Sequence, residues 1–259
     1  MDAVNEAGIL ADFLTYCEKN KVADRILQPP TWCLFHSPPK RSISAPFGSY
    51  RLNLRRDPEL VWAGLHSKHR NVIRNAEKKG VLVRSGPEVL HDFWTLYGET
   101  MGRSGMQLEP EEYFREILQR YATNIFCGVV YDAGKPVGGV FVPFTKYGAY
   151  YVYGASATKV ETTGAVNYLH YQMIRFLMER NVAFYDFVGA RLSDVSGTKL
   201  EGIQKFKERF GGDLIRGFLW KSDINATKCK LFDLALATKR TLRGNKFGPD
   251  IIDQEISKL

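Results

Sequence analysis

Apolar positions recur along this chain in two rhythms, a helical one of three and four residues and an alternating one of two. Ile9, Leu10, Phe13, Leu14 and Cys17 follow the first, so residues 4–20 read as an amphipathic helix. Val22 to Leu27 reads as a strand stopped by Pro29-Pro30. Residues 37–46 read as a loop rich in proline, serine and basic side chains, and Gly48 to Leu54 alternates as a strand. Asp57-Pro58-Glu59 is a helix start, with a carboxylate cap and a proline where no donor is needed. The pattern carries that helix to Lys79 and stops it at Gly80, with Val61, Leu65, Val72, Ile73 and Ala76 on its buried side.

From residue 81 the order becomes regular. A strand at Val81–Val83 precedes helices over Pro87–Arg103 and Pro110–Tyr121. Strands Ile125–Tyr131, Val137–Thr145 and Ala149–Tyr153 follow, the first two joined by an Asp132-Ala133-Gly134-Lys135 hairpin turn. A helix over Ala165–Arg180, a strand over Val182–Val188, a short helix ended by Gly211-Gly212 and a strand over Asp213–Trp220 complete the series. Residues 225–242 read as a basic amphipathic helix and the remainder as loose. This order is that of an acyl-transferase fold of the GNAT type: α/β, with a mixed central sheet flanked by helices. The expected division is 1–80, the later half of a second such domain with a linking helix; 81–222, a complete domain; and 223–259, a basic helix and tail.

Composition narrows the function classes. With 259 residues, 44% of them hydrophobic, the chain can bury a sizeable core. No apolar run approaches the roughly 18 residues that span a membrane, and the polar stretch after Met1 reads as neither a signal nor a transit peptide. Cys17, Cys33, Cys127 and Cys229 are scattered without a CxxC pair, as buried thiols in a reducing cytoplasm would be. The net charge is +8, and residues 1–84 supply +6 of it, 14 Lys/Arg against 8 Asp/Glu. That excess suits an anionic partner such as RNA or a phosphorylated precursor; charge for solubility is the bland reading. Arg70, Arg74 and Lys78 recur every four residues as a basic stripe, either phosphate-facing or merely solvated.

Four stretches resemble one family. His66 to Val81 looks like the segment linking the two domains of FemABX-type peptidyltransferases. Tyr151-Val152-Tyr153-Gly154-Ala155-Ser156 looks like their strand ending at the active cleft, and Tyr185-Asp186-Phe187-Val188-Gly189-Ala190 like their strand before the final loop. Gly202-Ile203, Phe206-Lys207 and Phe210-Gly211 are similar to their aromatic-lysine signature. The resemblance implies tandem GNAT-like domains that move an aminoacyl group from aminoacyl-tRNA to an amine of a peptidoglycan precursor, lipid-linked or nucleotide-linked, with transient association with the inner membrane surface. It implies a cytoplasmic protein with no cofactor and no metal, because the ester already carries the activation. Lys207 would stabilise the developing oxyanion and hold the tRNA end, Phe206 would pack against the aminoacyl or adenosine portion, and Tyr153 would donate a hydrogen bond nearby. Tyr113, Arg103 and Arg191 are candidates for binding the precursor, and Arg70, Arg74 and Lys78 for tRNA or phosphate. The expected arrangement sets Lys207 in a cleft facing the Tyr153 strand end.

Two other readings stand beside this one. An acetyl-CoA enzyme of the same fold needs a basic, glycine-rich turn before the helix that follows the central strand. Here that turn reads Thr158 to Ala165, with one glycine and an acidic residue. A noncatalytic RNA- or peptide-binding module is the third reading. The histidines at 36, 66, 69, 91 and 170 show no ligand spacing, and Asp186 is either a base or a buried, paired carboxylate.

Overall fold

The computed structural model describes residues 3–27, 34–242 and 250–259; Cys33 and the Pro29-Pro30 stop lie outside them. In chain order the elements are α1 (Ala3–Asn20), β1 (Arg25–Leu27), β2 (Ile43–Asn53), α2 (Pro58–Gly64), α3 (Ser67–Lys78), β3 (Leu82–Ser85), α4 (Leu90–Ser104) and α5 (Glu111–Tyr121). Then come β4 (Ile125–Asp132), β5 (Lys135–Pro143), β6 (Ala149–Tyr150), β7 (Tyr153–Ser156), α6 (Ala165–Glu179), β8 (Phe184–Asp186), α7 (Lys199–Glu208), β9 (Asp213–Asp223), α8 (Ala226–Leu242) and α9 (Ile251–Ile256). They form two compact units. One comprises Met1–Ser49, Gly189–Glu201 and Leu214–Leu259; the other comprises Tyr50–Val188 and Gly202–Asp213.

The second unit is built on an antiparallel sheet in the order β3-β4-β5-β7. Alternation sorts its side chains to two faces. Phe126, Val130, Val140 and Val142 join Leu169, Met173 and Ile174 of α6 in one core. Cys127, Val129, Phe141 and Ala155 join Phe93, Leu96 and Tyr97 of α4 and Phe114 of α5 in another. The Asp132–Lys135 turn forms as expected, with Ala133 and Gly134 both at positive φ, the hairpin geometry that follows sheet twist. Beside this sheet, the end of β2 pairs antiparallel with β8, which pairs parallel with β6.

Two elements are more broken than the pattern predicts. The single helix expected over 57–79 is split at Leu65, whose ψ of 140° ends α2, while His66 caps α3 by accepting from Lys68 N at 3.2 Å. The split buries Leu65, sends His66 N to the Arg209 carbonyl at 2.9 Å, and lets Arg70 donate to the carbonyls of Ala63 and Leu65. Tertiary partners thus replace the helical hydrogen bonds lost there. The strand expected over Ala149–Tyr153 also divides: β6 follows β8, β7 follows β5, and Tyr151 and Val152 bridge them.

In the other unit, β1 pairs antiparallel with β9, and Arg25 fixes the pair by binding both Asp223 and Asp233 through two hydrogen bonds each. Leu10 and Leu14 of α1 pack on Trp220, and Ala45, Phe47 and Leu219 on Ile252. β2 begins at Ile43, so it takes up part of the expected 37–46 loop. The tail expected to be loose contains α9, capped by Asp250 and anchored by buried Ile252 and Glu255. No helix among the described residues is long and apolar enough to cross a membrane.

Candidate functional site

α7 carries the aromatic-lysine pair toward the end of β8. Phe206 and Phe210 are one helical turn apart and lie against His69 and His170, with Phe210 fully buried on Phe187. Gly211 ends the helix at φ +78°, where a Cβ would stand 2.4 Å from the Gly64 carbonyl, so only glycine fits. Lys207 leaves the neighbouring side of the helix, is partly buried, and donates from Nζ to the Val188 carbonyl.

That carbonyl is aimed by strained backbone. Val188 is β-branched yet sits at φ +50°, in the left-handed region such residues avoid. The turn is fixed by Asp186, which is 1% exposed: Oδ1 accepts from Val188 N at 2.9 Å, and Oδ2 accepts from Arg51 Nε and Nη2 at 3.2 and 3.1 Å. Burial pushes the Lys207 ammonium down to about 8, and nearby Asp186 pulls it partly back. It is therefore mostly charged at pH 7, with a neutral fraction that grows just above. His170 is fully buried. Burial, then the neighbouring His69 and Lys207, push it down to about 3, so it is neutral. Its Nδ1 lies 3.2 Å from the Tyr185 hydroxyl and its Nε2 has no hydrogen-bond partner among the described residues. His69 is also lowered by burial, and its Nε2–H donates to the Phe206 carbonyl at 3.0 Å. The result is one cationic amine of reduced pKa beside two uncharged imidazoles, a setting in which a positive charge is little screened.

The other residues picked from the sequence are placed elsewhere. Tyr153 pairs with Phe141, so it belongs to the α4/α5 face of the sheet, whereas Phe206 packs with the α6 face. Phe206 and Tyr153 are thus in different side-chain clusters. Tyr151 is the tyrosine of this strand segment that reaches the histidine cluster, 4.7 Å from His170 between ring centres. Tyr153 and Tyr113 do meet, hydroxyl to hydroxyl at 3.0 Å, and burial followed by that bond raises the Tyr153 phenol well above its ordinary value. Arg103 is spent on Ser156, Thr158 and Thr100, tying α4 to the end of β7. Arg191 belongs to the other unit and is bound by Glu255 and Gln254 of α9. Of the basic stripe, Arg70 caps the α2–α3 break, Arg74 lies over the Trp62 ring at 5.3 Å, and Lys78 is exposed. Arg51, Val188, His69 and Tyr151 carry the site's geometry without having been singled out; the tight Asp186-Phe187-Val188 run before Gly189 was the available signal.

The turn before α6 is also occupied. Thr162 N donates to Asp132 Oδ2 at 2.8 Å, and Gly164 at φ +97° packs so closely on α3 that a Cβ would meet the Val72 carbonyl at 2.3 Å. A carboxylate and a carbonyl thus stand where a pyrophosphate would seek free N–H groups. Burial pushes the Cys127 thiol up to about 12, far from a nucleophile's range.

A family model described as an acetyltransferase (GNAT) domain matches residues 66–207, more than half of the chain. No curated protein matches the chain in sequence. Among solved structures, FemX superposes with a TM-score of 0.62 at 15% identity, covering 86% of this chain and 71% of that one. The C-terminal domain of a protein assigned as a lysylphosphatidylglycerol synthetase in Agrobacterium fabrum gives 0.52 at 12%, covering 76% and 66%. L-PGS from Bacillus licheniformis gives 0.51 at 14%, covering 73% and 65%. At these identities the likeness is one of fold, and this chain spans about two thirds of the last two.

Proposed function

The chain belongs to the acetyltransferase (GNAT) domain family, and on that premise we propose that it is an aminoacyltransferase drawing on aminoacyl-tRNA. The acceptor is an amine on the stem peptide of a peptidoglycan precursor, and the product is an added amide-linked residue. The acceptor nitrogen attacks the ester carbonyl, the carbon–oxygen bond to the tRNA breaks, and the freed hydroxyl takes the proton that the amine gives up. Lys207 in its charged form stabilises the oxyanion that forms between these steps. The observation that carries the reading is the site of that lysine: a low-pKa amine fixed by a strained carbonyl and by buried Asp186, which a partly exposed Arg51 holds. Phe206 forms the apolar wall beside it. Residues 1–80 are proposed as the later half of a first GNAT-like domain, and the FemX-like fold supports that division.

Acetyl-CoA-dependent N-acyl transfer is the second reading, favoured by the family description itself. The Asp132 carboxylate at the start of α6 counts against it. Incubating the protein with charged tRNA and a lysine-containing muropeptide precursor separates the two. We expect a mass gain of one aminoacyl residue, lost in Lys207→Ala at unchanged circular dichroism. Turnover of acetyl-CoA with no transfer from any charged tRNA would overturn the lead reading.

A further inference from the structure

Most arginines with a role in this fold are neutralised or capped locally. Arg25, Arg51, Arg115 and Arg191 hold carboxylates, and Arg70 holds carbonyls. Three differ in sharing a cavity: the side chains of Arg55, Arg56 and Arg175 have no ion-pair or hydrogen-bond partner among the described residues, and all three line one cavity of about 530 Å³. Local structure brings them there. Asn53 Oδ1 accepts from Arg55 N at 2.9 Å and turns the chain after β2, and Asp57 starts α2 two residues later; Arg55 and Arg56 are carried on that turn. Arg175 comes from the outer side of α6, and the chain closes the cavity at Asn181, which sits at φ +54°.

We propose that this cavity binds the phosphate groups of a small phosphate or diphosphate ester. Three guanidiniums against the single carboxylate of Glu179 leave a net charge of +2, which suits a dianion better than a monoanion. Guanidinium forks match phosphate oxygens two at a time. The floor is apolar, formed by Leu54, Met178 and Val182, so water is displaced from one side of the ligand and each charged hydrogen bond is strengthened. Glu179 and Asn181 accept from hydroxyls on the ester's organic part. The site is separate from Lys207 and does not rest on its assignment.

Isothermal titration calorimetry of the full chain at constant ionic strength tests this, with inorganic pyrophosphate, ADP, sulfate and acetate as probes. Saturable one-to-one binding of pyrophosphate or ADP is expected, with acetate far weaker. Tighter binding of ADP than of pyrophosphate would identify an organic ester, and the reverse a free phosphate. Arg175→Ala and Arg56→Ala each weaken binding about tenfold or more, since each removes a hydrogen bond between charged groups. Arg175→Lys retains part of the affinity, and the exposed Arg120→Ala leaves it unchanged. Absence of saturable binding in the wild type, equal affinity for acetate, or arginine variants that bind as tightly as the wild type would overturn the proposal.

Discussion

Lys207→Met removes a charge that the native fold holds at a cost, and the size of that cost follows from the site. An ordinary lysine titrates near 10.5, and burial brings Lys207 to about 8. Between those values the unfolded chain keeps a proton that the native chain has lost. The unfolded state therefore binds more protons, and stability rises with pH across the window. At 1.36 kcal/mol per pH unit, the full effect is about 3 kcal/mol, present below pH 8 and relieved towards 10.5. The methionine variant has no such dependence. Its loss of the Val188 hydrogen bond, about 1 kcal/mol, is nearly pH-independent and separates cleanly. Urea unfolding of wild type and variant at pH 7, 8, 9 and 10.5 gives the difference at each pH, in which other titrating groups cancel. The variant should gain about 3 kcal/mol on the wild type at pH 7 relative to pH 10.5, while losing transfer activity. A difference that stays flat across this range would refute the burial of the charge, and with it the argument for an unscreened cation.

Further expectations concern the residues around it. Asp186 holds the Lys207 pKa up, so Asp186→Asn should move the alkaline limb of the pH–rate profile to lower pH, read from kcat/KM between pH 6 and 9. His170 stays neutral to about 3 while its unfolded counterpart protonates near 6.5, so the wild type should lose stability steadily as pH falls through that range. His170→Gln should flatten this limb, as followed by urea unfolding. Gly211→Ala forces a Cβ into the Gly64 carbonyl at positive φ and should cost at least about 2 kcal/mol in thermal or urea unfolding.

The order of elements was legible because it depends on local periodicity: the apolar stripes of α1, α4, α5 and α6 and the Asp-Ala-Gly-Lys hairpin appear in the structure where the pattern put them. The breaks were not legible because distant groups cause them. Leu65 leaves helical geometry in a setting where the Arg209 carbonyl, over 140 residues away in sequence, takes up the His66 N–H. Arg191 is a candidate for binding the precursor by sequence, but Glu255, 64 positions downstream, holds it. In the candidate site, the aromatic-lysine spacing marks α7, whose lysine meets the Val188 carbonyl. Nothing in a side-chain pattern reports a left-handed valine, and Val188 is what directs the lysine's partner.

The segment Ala149–Ser156 serves two partners at once, with Tyr150 in register with Asp186 and Tyr153 with Phe141. Only Tyr151 and Val152 lie between, held by the Asp186 and Tyr150 carbonyls. Strand faces alternate with every residue, so adding or removing one position here would turn Tyr153 and Ala155 away from the α4/α5 core. Chain length in this segment is therefore constrained as tightly as the packing of Tyr151 on His170. A library built over residues 151–152 should tolerate many side chains at 152 but few beyond aromatic ones at 151, and variants of altered length should be missing from its folded members.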